Sequence, residues 1–479
     1  MTAQTILPAN TLSSGDVVTN SLRFNSADSP KLTRSLGASE TSTQKGTFSF
    51  WIKRSKLTAV QLIYSNEVAD DNNRGFIQFE DDDTFRIKDT VSGSNTTFYA
   101  TTQKFRDVGA WYHMVVALDS TQAGGNRIRV YKNGTRIPDA QFGTSTEPNQ
   151  NSNFNILTGG QTNKNIISGI HGGSHYIDGY LAEFVYCDGQ VLDASSFGEF
   201  DSDSGIWKPI DVSGLTFGAN GFYLDFEDSS ALGNDAAGSN NFATSGLATT
   251  DQSTDTCVNN FATLNVLDGN LGNSTFSEGN LRFNSEDGSN KCWMRSTIGV
   301  SSGKWYFEAK VQTAGNNCAI GISDRPSPDF NSTELGAGAF DYSYQSANSG
   351  NKLNNGSGSS YGDTYTDDDI VSCALDLDNL KIYFGKNGTF QNSGNPTSGA
   401  TGTGAAFTIT APSLTNHGFY FFCLGDLTGA NNVRWLANFG SPPYAISSGN
   451  ADGNGYGNFE YAVPSGYYAL NSKNLAEYG

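Results

Sequence analysis

The sequence has few of the features that identify membrane proteins, secreted proteins, and disulfide-rich or zinc-binding proteins. It contains only 3 Met and 12 Pro in 479 residues, and no run of eighteen apolar residues, so we expect no membrane insertion. Residues 1–18 have neither a charged n-region nor an apolar core, so we expect no Sec-type signal. The 6 Cys show no C-x-x-C spacing. This favours buried reduced thiols over a disulfide framework or a zinc site.

Positive charge is also scarce. The chain has 29 Lys and Arg against 48 Asp and Glu, which gives a formal net charge of −19. A protein that binds nucleic acid or an anionic membrane needs a basic face to release counterions. We therefore expect neither partner.

The abundant residues favour strands and turns. Hydrophobic residues make up 37% of the chain and aromatic residues 12%, with 31 Phe, 21 Tyr and 55 Gly. This composition supports hydrophobic cores and predicts an all-β protein. A chain of this length is expected to form two or three domains.

The clearest strand signal is a hairpin over residues 369–388. Asp378-Asn379 suits its turn, and Asn387-Gly388 suits a second tight turn after it. Lys381 and Tyr383 fall on one face, towards water or a neighbouring strand. The opposite face, which we expect to be buried, carries Val371, Cys373, Leu375, Leu377, Leu380, Ile382 and Phe384.

Two short sequences occur twice at similar offsets. Leu-Arg-Phe-Asn-Ser stands at 22–26 and 281–285, and Lys-Asn-Gly at 132–134 and 386–388. The repetition predicts two domains of related architecture.

Strand motifs follow one another in the first half of the chain: Phe48–Lys53, Trp111–Val116, Val130–Gly134 and Asp178–Phe184. Over roughly residues 20–200 their order resembles the laminin G-like, concanavalin A-like lectin/glucanase domain. This resemblance implies a two-sheet jelly roll, often one that binds glycan at its rim.

The second half has its own ordered motifs: Gly303–Glu308, Ala319–Ser323, Asp369–Asp376, Ile382–Gly388 and Val433–Phe439. Over roughly residues 276–440 they resemble the SPRY family, another concanavalin A-like sandwich. The resemblance implies a protein-interaction module that uses loops at one edge and has no catalytic residues. The family usually has Gly where Asp368 stands, which leaves the geometry of that turn open.

Two further segments indicate a biological setting. Residues 464–475 look like the C-terminal segment of SPRY-containing proteins of tailed bacteriophages, and residues 260–265 are similar to connectors in the same proteins. The resemblance implies a virion protein, which needs no secretion signal.

These observations predict two concanavalin A-like antiparallel β-sandwich (jelly-roll) domains joined by a long connector. The expected segments are an N-terminal docking arm (1–20), a laminin G-like sandwich (21–200), a connector with one strand (201–275), a SPRY-like sandwich (276–440) and a C-terminal tail (441–479).

Carboxylates offer little support for catalysis. Retaining glucanases place two carboxylates about 5–5.5 Å apart, and no Glu-x-Asp-x-x-Glu strand is present. The nearest arrangement is Asp225-Phe226-Glu227, where Phe226 is expected to point inward and the two acids outward. A solvent-facing strand is the favoured interpretation, and we expect no catalytic residue.

Calcium is the one cofactor for which the sequence offers ligands. Hard cations prefer several oxygen ligands from a short loop. The metal candidates are Asp70, Asp71, Asp225, Glu227 and Asp235, and other acidic turns occur at 80–83 and 367–369. None has EF-hand spacing, and acidic turns also serve simply as solvated surface.

Histidines and tyrosines are candidates for a ligand site. His171 and His175 flank two glycines, so we expect a rim loop rather than a zinc-binding helix. His113 is expected to pack within a strand. Four tyrosines in the loop-like region 336–368 could bind glycan or protein at a domain edge, or could cap the core: Tyr342, Tyr344, Tyr361 and Tyr365.

The expected function is that of a non-enzymatic phage virion surface protein, a tail-fibre or head-fibre adhesin that binds host-surface glycans. Its expected partners are other virion proteins and further copies of itself, and assembly would take place in the host cytoplasm. One alternative is a structural capsid-decorating or tail-associated protein without a ligand. A second alternative is a polysaccharide hydrolase.

Overall fold

The computed structural model describes residues 17–479 except 38, 69, 160–161, 270–273, 286–290, 315–317, 325–332, 348–349 and 428–431. The expected docking arm therefore lies outside the described residues up to position 16. The chain divides into two compact units, a first unit that ends at Val258 and a second unit that begins at Asn259. Both are built from antiparallel sheets with very little helix, which confirms the predicted fold class.

The strands of the first unit are β1 (Ser21–Phe24), β2 (Lys31–Arg34), β3 (Lys45–Arg54), β4 (Gln61–Glu67), β5 (Arg74–Phe79), β6 (Thr84–Val91), β7 (Ser94–Lys104), β8 (Trp111–Asp119), β9 (Ile128–Lys132), β10 (Thr135–Arg136), β11 (Phe142–Thr146), β12 (Asn165–Ile167), β13 (Gly179–Asp188), β14 (Gly198–Phe200), β15 (Trp207–Pro209), β16 (Phe222–Leu224), β17 (Ala243–Ser245) and β18 (Gln252–Ser253). Short 3-10 turns cover Ser26–Asp28, Asp139–Gln141, Asn155–Leu157, Ala194–Ser196 and Thr249–Asp251.

These strands form two large sheets. Sheet I has the order β10-β9-β8-β3-β13-β1-β18, with β16 also paired to β13. Sheet II has the order β11-β7-β6-β5-β4-β12-β2-β17, and β14 pairs with β15 in a separate ribbon. Alternate side chains of both sheets meet in one hydrophobic cluster, with Phe48 and Met114 from sheet I and Ile77 and Ile87 from sheet II.

The outer face of sheet I is covered by chain that follows β13. Val115 and Val185, which point away from the main core, pack with Phe197, Val212 and Trp207. Sequence analysis identified part of this segment as a connector.

Residues up to 258 are integral to the first sandwich, which corrects the expectation of a connector with a single strand over 201–275. In that range β16 and β18 join sheet I, and β17 joins sheet II. Asp255 also anchors the segment, because its carboxylate accepts hydrogen bonds from Lys53 Nζ at 2.8 Å and Trp111 Nε1 at 3.2 Å. The Lys53 and Asp255 side chains are each only 1% exposed. Short polar strands of this kind carry too little alternation to be recognised in the sequence.

The second unit contains β19 (Leu264–Gly269), β20 (Ser274–Ser277), β21 (Arg282–Ser285), β22 (Cys292–Val300), β23 (Lys304–Thr313), β24 (Cys318–Ser323), β25 (Asp341–Gln345), β26 (Asn351–Asn354), β27 (Ser357–Ser360), β28 (Ile370–Asp376), β29 (Lys381–Lys386), β30 (Thr389–Phe390), β31 (Phe407–Thr408), β32 (Tyr420–Asp426), β33 (Arg434–Asn438), β34 (Tyr468–Ala469) and the helix α1 (Ser472–Tyr478). Short 3-10 turns cover Gln391–Ser393, Pro396–Thr401 and Pro412–Leu414.

Two sheets again enclose one core. Sheet III has the order β19-β22-β32-β24-β25-β26-β27, and sheet IV the order β20-β21-β33-β23-β28-β29-β30. β31 pairs with β29, and β34 pairs with β23 in parallel. The predicted hairpin is β28–β29, in which Leu375 is opposite Ile382 and Cys373 opposite Phe384, all fully buried. Its turn extends to Leu380, which has φ 56° and precedes the return strand.

The C-terminal tail covers the outer face of sheet IV. Tyr306 and Tyr383, which alternate with core residues, pack against Phe459 and Tyr467 in a second apolar cluster. Glu308 holds the tail, because it accepts backbone hydrogen bonds from Glu460 and Tyr461 at 2.9 Å each. The aromatic residues of the tail are therefore committed to its own sandwich.

The two Asn-Gly turns close the β9–β10 and β29–β30 hairpins, and each glycine is also required by a close neighbour. Gly134 has φ +79°, and an added Cβ would lie 2.3 Å from the ring of Trp207. Gly388 has φ +81°, and an added Cβ would lie 2.6 Å from Tyr461. In each unit, a residue from later in the chain, Trp207 or Tyr461, therefore packs against the turn.

The fold also shows the state of the cysteines and the geometry of the turn at Asp368. All six cysteines are free, and five of them are buried. Asp368 has φ 66°, so it takes the left-handed conformation for which the SPRY family usually has Gly. Its carboxylate lies 3.0 Å from Lys310 Nζ. Aspartate tolerates this conformation better than most residues, which explains how the turn is kept.

Candidate functional site

The candidate site lies on the outward face of sheet II. Along β5, Ile77 and Phe79 point into the core, so Phe76 and Gln78 point outward. The register pairs Phe76 with Lys88 and Gln78 with Arg86, which places four outward side chains side by side on two strands. Strand alternation alone thus positions a mixed cationic and aromatic surface.

These residues line a cavity of about 190 Å³, which we call the face pocket. Leu62 of β4 and Arg74 of β5 complete its strand walls. A loop after β12 adds Ile170 and His175. The loop is held beside β4, because the amide of Leu62 donates to the carbonyl of His175 at 2.9 Å. The complete lining is Val60, Leu62, Arg74, Phe76, Gln78, Arg86, Lys88, Ile170 and His175.

The cations of the face pocket differ in their partners. Arg86 lies 2.5 Å from Glu80, and Arg74 lies 3.0 Å from Asp71. The side-chain ammonium of Lys88 has no hydrogen-bond or ion-pair partner within the described part of the chain. Burial, followed by the neighbouring charges of Arg74 and Arg86, lowers the pKa of Lys88. The ammonium group is thus held among like charges without a carboxylate of its own.

The guanidinium groups rest on aromatic rings. The Arg74 guanidinium lies 5.0 Å from the Phe76 ring centre, and the Arg86 guanidinium 4.7 Å from that of Phe98. This stacking orients the cations. It also leaves Phe76 only 4% exposed, so the pocket offers hydrogen-bond donors rather than a free aromatic platform.

A second cavity is larger and more open. It has a volume of about 580 Å³ and lies beside β7, β9 and β10 at one edge of the first sandwich. Its lining residues are Thr102, Gln103, Lys132, Thr135, Arg136, Ile137, Pro138 and Gln141. Arg136 is paired with Asp139 at 3.3 Å.

The structure corrects the prediction of a tyrosine-lined binding loop. Tyr342, Tyr344, Tyr361 and Tyr365 all belong to the core of the second unit and are at most 8% exposed. The Tyr365 hydroxyl donates to the carbonyl of Tyr344 at 2.8 Å, and the Tyr361 hydroxyl accepts from the amide of Phe384 at 3.3 Å. Their rings lie between the sheets and present no face to a sugar. The second interpretation in the sequence, that tyrosines cap the core, accounts for all four.

His171 and His175 have separate surroundings. His175 lines the face pocket, whereas His171 Nδ1 lies 3.5 Å from Glu67 on β4. The predicted rim loop is therefore present, and one of its two histidines belongs to the candidate site.

The acidic turns are occupied by protein donors. Asp70 caps its own turn by accepting from the amide of Asn72 at 2.9 Å, and Asp71 pairs with Arg74. Asp83 is fully buried and accepts from Arg54 at 3.2 Å and Arg106 at 2.8 Å. These carboxylates organise loops and ion pairs of the protein itself.

The remaining metal candidates behave in the same way. Asp235 is buried and accepts backbone hydrogen bonds from Tyr223, Ala237 and Asn240 at 2.9, 3.1 and 2.9 Å. Asp225 accepts from the amide of Glu227 at 3.1 Å, and exposed Glu227 accepts from Thr19 Oγ1 at 2.9 Å. Phe226 points inward, as predicted. Across the described residues, no three His, Cys, Asp or Glu side chains come together as a metal site.

A buried Ser–His pair, which the sequence did not reveal, has the geometry of a dyad but the wrong tautomer. His113 Nε2 lies 2.8 Å from Ser49 Oγ, and Trp207 Nε1 donates to His113 Nδ1 at 2.9 Å. An indole N–H can only donate, so Nδ1 accepts and the imidazole proton sits on Nε2, towards Ser49. Burial lowers the pKa of His113 to about 3. This histidine is a packed residue, as expected, and is not placed to deprotonate Ser49.

No helix in the described residues is long and apolar enough to cross a membrane.

Comparison with known domain families finds one match in each half of the chain. Residues 27–193 match the domain family described as the concanavalin A-like lectin/glucanases superfamily, and residues 304–418 match the SPRY domain. Both domain families predicted from the sequence are thus found, in the predicted order.

The curated relatives match part of this chain. The ATP-dependent RNA helicase DDX1 of Xenopus laevis is 29% identical over 150 residues, which are 31% of this chain and 17% of that protein. The Drosophila melanogaster helicase Ddx1 is 30% identical over 157 residues, 33% of this chain and 18% of that protein. The chain spans less than a fifth of the length of these relatives.

Two solved structures are also similar to parts of this chain. The SPRY domain of human HERC1 has a TM-score of 0.29 and 19% identity, and the match covers 36% of this chain and 96% of that domain. A heptameric SAP-like pentraxin from Limulus polyphemus has a TM-score of 0.28 and 16% identity, covering 37% of this chain and 80% of that one.

The fold therefore defines a protein of two β-sandwich modules of the kind that bind proteins or carbohydrates. The first module is a laminin G-like, concanavalin A-like domain and the second is a SPRY domain.

Proposed function

We propose that the protein is a non-enzymatic adhesin that binds glycans through the face pocket of its first domain. The observation that carries this proposal is the pocket itself, where donors from β5 and β6 and a loop histidine converge beside the apolar side chains of Leu62 and Ile170. Glycan sites combine polar groups, which hydrogen-bond to hydroxyls, with apolar contacts to the sugar ring. The lectin-like family of the first domain supports the same class of ligand.

The non-enzymatic part of the proposal is supported by the state of the titratable groups. Asp225 and Glu227 lie outside the face pocket. His113 is buried and donates towards Ser49.

We further propose that the protein works on the surface of a phage particle, as a tail-fibre or head-fibre component in several copies. The support is the similarity of residues 260–265 and 464–475 to segments of phage-encoded SPRY proteins. Because the C-terminal tail is packed on its own sandwich, we assign the attachment to other virion proteins to residues 1–20.

Glycan-array binding of the recombinant full chain tests the proposal. Wild type is expected to bind host-envelope glycans, and Gln78→Ala combined with Lys88→Gln is expected to abolish the signal, because the double variant removes polar groups of the pocket. Exposed Lys104 at the end of β7 lies outside the pocket, so Lys104→Gln serves as the control and should bind normally. Folded wild-type protein that binds neither the array nor isolated host polysaccharide would refute the proposal.

A further inference from the structure

We propose that the ligand of the face pocket is an acidic saccharide, held through its carboxylate or sulfate oxygens. The inference rests on the proposed glycan-binding function and specifies its ligand class. It is carried by three cations that line the pocket, of which Lys88 alone has no acid of its own in the described part of the chain.

The first donor is the Lys88 ammonium. Arg74 and Arg86 line the same cavity, and each has its own acid, Asp71 and Glu80. Lys88 has no such acid within the described residues, although the chain carries 48 acidic residues in total. In a protein of net charge −19, a locally positive cavity is unexpected unless an anion completes it.

The second contribution is the positive charge of Arg86, which also lines the pocket. The terminal nitrogen of Arg86 is taken by Glu80 at 2.5 Å, but Nε is buried and has no hydrogen-bond partner in the described part of the chain. The ring of Phe98 holds the guanidinium in place, so its positive charge is fixed before a ligand arrives.

An anionic oxygen that accepts from the Lys88 ammonium supplies the acid that Lys88 lacks, beside the positive charge of Arg86. Charge-assisted hydrogen bonds are about twice as strong as neutral ones. Arg86 and Lys88 are two residues apart on β6 and point to the same side. A single carboxylate or sulfate group therefore suits this pair.

The rest of the lining favours a saccharide over a nucleic acid. Val60, Leu62 and Ile170 offer apolar contacts for a sugar ring, and Phe76 is covered by Arg74, so no ring is open for base stacking. A nucleic acid also needs a row of cations along its backbone. The face pocket supplies one compact cluster.

Matched ligand pairs test the inference by calorimetry on the full chain. The probes are oligogalacturonate against its fully methyl-esterified form, and dextran sulfate against dextran, with a short oligothymidylate as a polyanion without sugar acids. At least one acidic probe is expected to bind tenfold or more tightly than its neutral partner, and to weaken as salt is added. The galacturonate pair reports on carboxylate recognition and the dextran pair on sulfate recognition.

Variants of Lys88 locate the effect. Lys88→Gln is expected to weaken binding of the acidic probe about 10- to 100-fold, whereas Lys88→Arg retains the charge and should keep most of the affinity. Lys104→Gln removes an equal charge from the same sheet and should change little.

The outcomes separate the two proposals. Equal binding of acidic and neutral probes, or equal loss in Lys88→Gln and Lys104→Gln, overturns the inference and leaves glycan binding intact. Binding of oligothymidylate as tight as that of the acidic sugars also overturns it. If neither these probes nor host polysaccharides bind, the proposed function itself fails.

Discussion

Removal of the Asp255 carboxylate is expected to destabilise the first domain strongly. Its partner Lys53 Nζ lies 2.8 Å away, and both side chains are 1% exposed. Asp255→Ala would leave a buried ammonium without this carboxylate and would also deprive Trp111 Nε1 of its acceptor at 3.2 Å. Breaking a buried ion pair from one side typically costs about 3–5 kcal/mol.

The size of the domain converts this loss into a temperature shift. For a domain of about 150–250 residues, each kcal/mol lowers Tm by roughly 2–4 °C. Asp255→Ala should therefore lower the transition of the first domain by about 6–20 °C, measured by differential scanning calorimetry of the full chain. The transition of the second domain should stay in place, because Asp255 belongs to the first compact unit.

A double variant provides the control. Replacing both charges, as in Lys53→Met with Asp255→Leu, removes the buried charges together and should recover much of the loss. A shift of less than about 2 °C in Asp255→Ala would refute the view that residues 201–258 are an integral part of the first sandwich.

Three further predictions concern single contacts. Burial raises the pKa of Asp89 to about 7 from an ordinary value of 3.8, so the folded state holds a proton that the unfolded state releases. The free energy of unfolding of the first domain should therefore fall as pH rises from about 4 to 7. Urea unfolding of Asp89→Asn should show a flatter dependence on pH. Glu308→Gln should destabilise the second domain by about 1–3 kcal/mol, because an amide cannot accept both backbone hydrogen bonds from the tail, and hydrogen exchange should then rise in the tail. Gly388→Ala places a Cβ 2.6 Å from Tyr461, whereas Gly356→Ala, at a position with φ +68°, places a Cβ with nothing within 4 Å. Thermal unfolding should show that Gly388→Ala loses at least about 1 kcal/mol more stability than Gly356→Ala. Equal losses of stability would contradict the packing of the tail on the turn.

Alternation predicted the elements with long apolar runs. The β28–β29 hairpin was found because Val371, Leu375, Ile382 and Phe384 repeat at period two and are all buried. The first domain shows the same agreement at β8–β9, where Val116 is opposite Val130.

Strands with polar sequences were missed. β7 begins Ser94-Asn95-Thr96-Thr97 and has only an irregular apolar face, yet it pairs with both β6 and β11 in sheet II. Its place depends on neighbouring strands rather than on its own pattern. Of the short strands in 201–258, the one at Phe222–Leu224 matches the single strand expected in the connector, and the others were missed for the same reason.

The candidate site could be predicted only in part. His175 was singled out, but Arg74, Arg86 and Lys88 were not, because their meeting depends on the register of β5 and β6 and on the loop that follows β12. The prediction for the four tyrosines was wrong, because they were expected to line a binding loop and lie instead in the core. Gly- and Ser-rich sequence around them indicated a loop, while their burial comes from long-range packing between sheets III and IV.

Acidic turns carried a similar ambiguity. Asp83 and Asp235 lie in sequences typical of calcium loops, yet each is used by arginines or by backbone amides of the protein. A short sequence does not reveal which donors distant segments will bring to a carboxylate.

The most direct test of glycan recognition at the face pocket is a hydrogen-exchange footprint of the full chain, saturated with a bound host polysaccharide. The account predicts protection of the segments around Val60, Asp70–Lys88 and Ile170–His175, which line or border the pocket. Protection confined to the SPRY domain, or to the edge groove around Arg136, would contradict it.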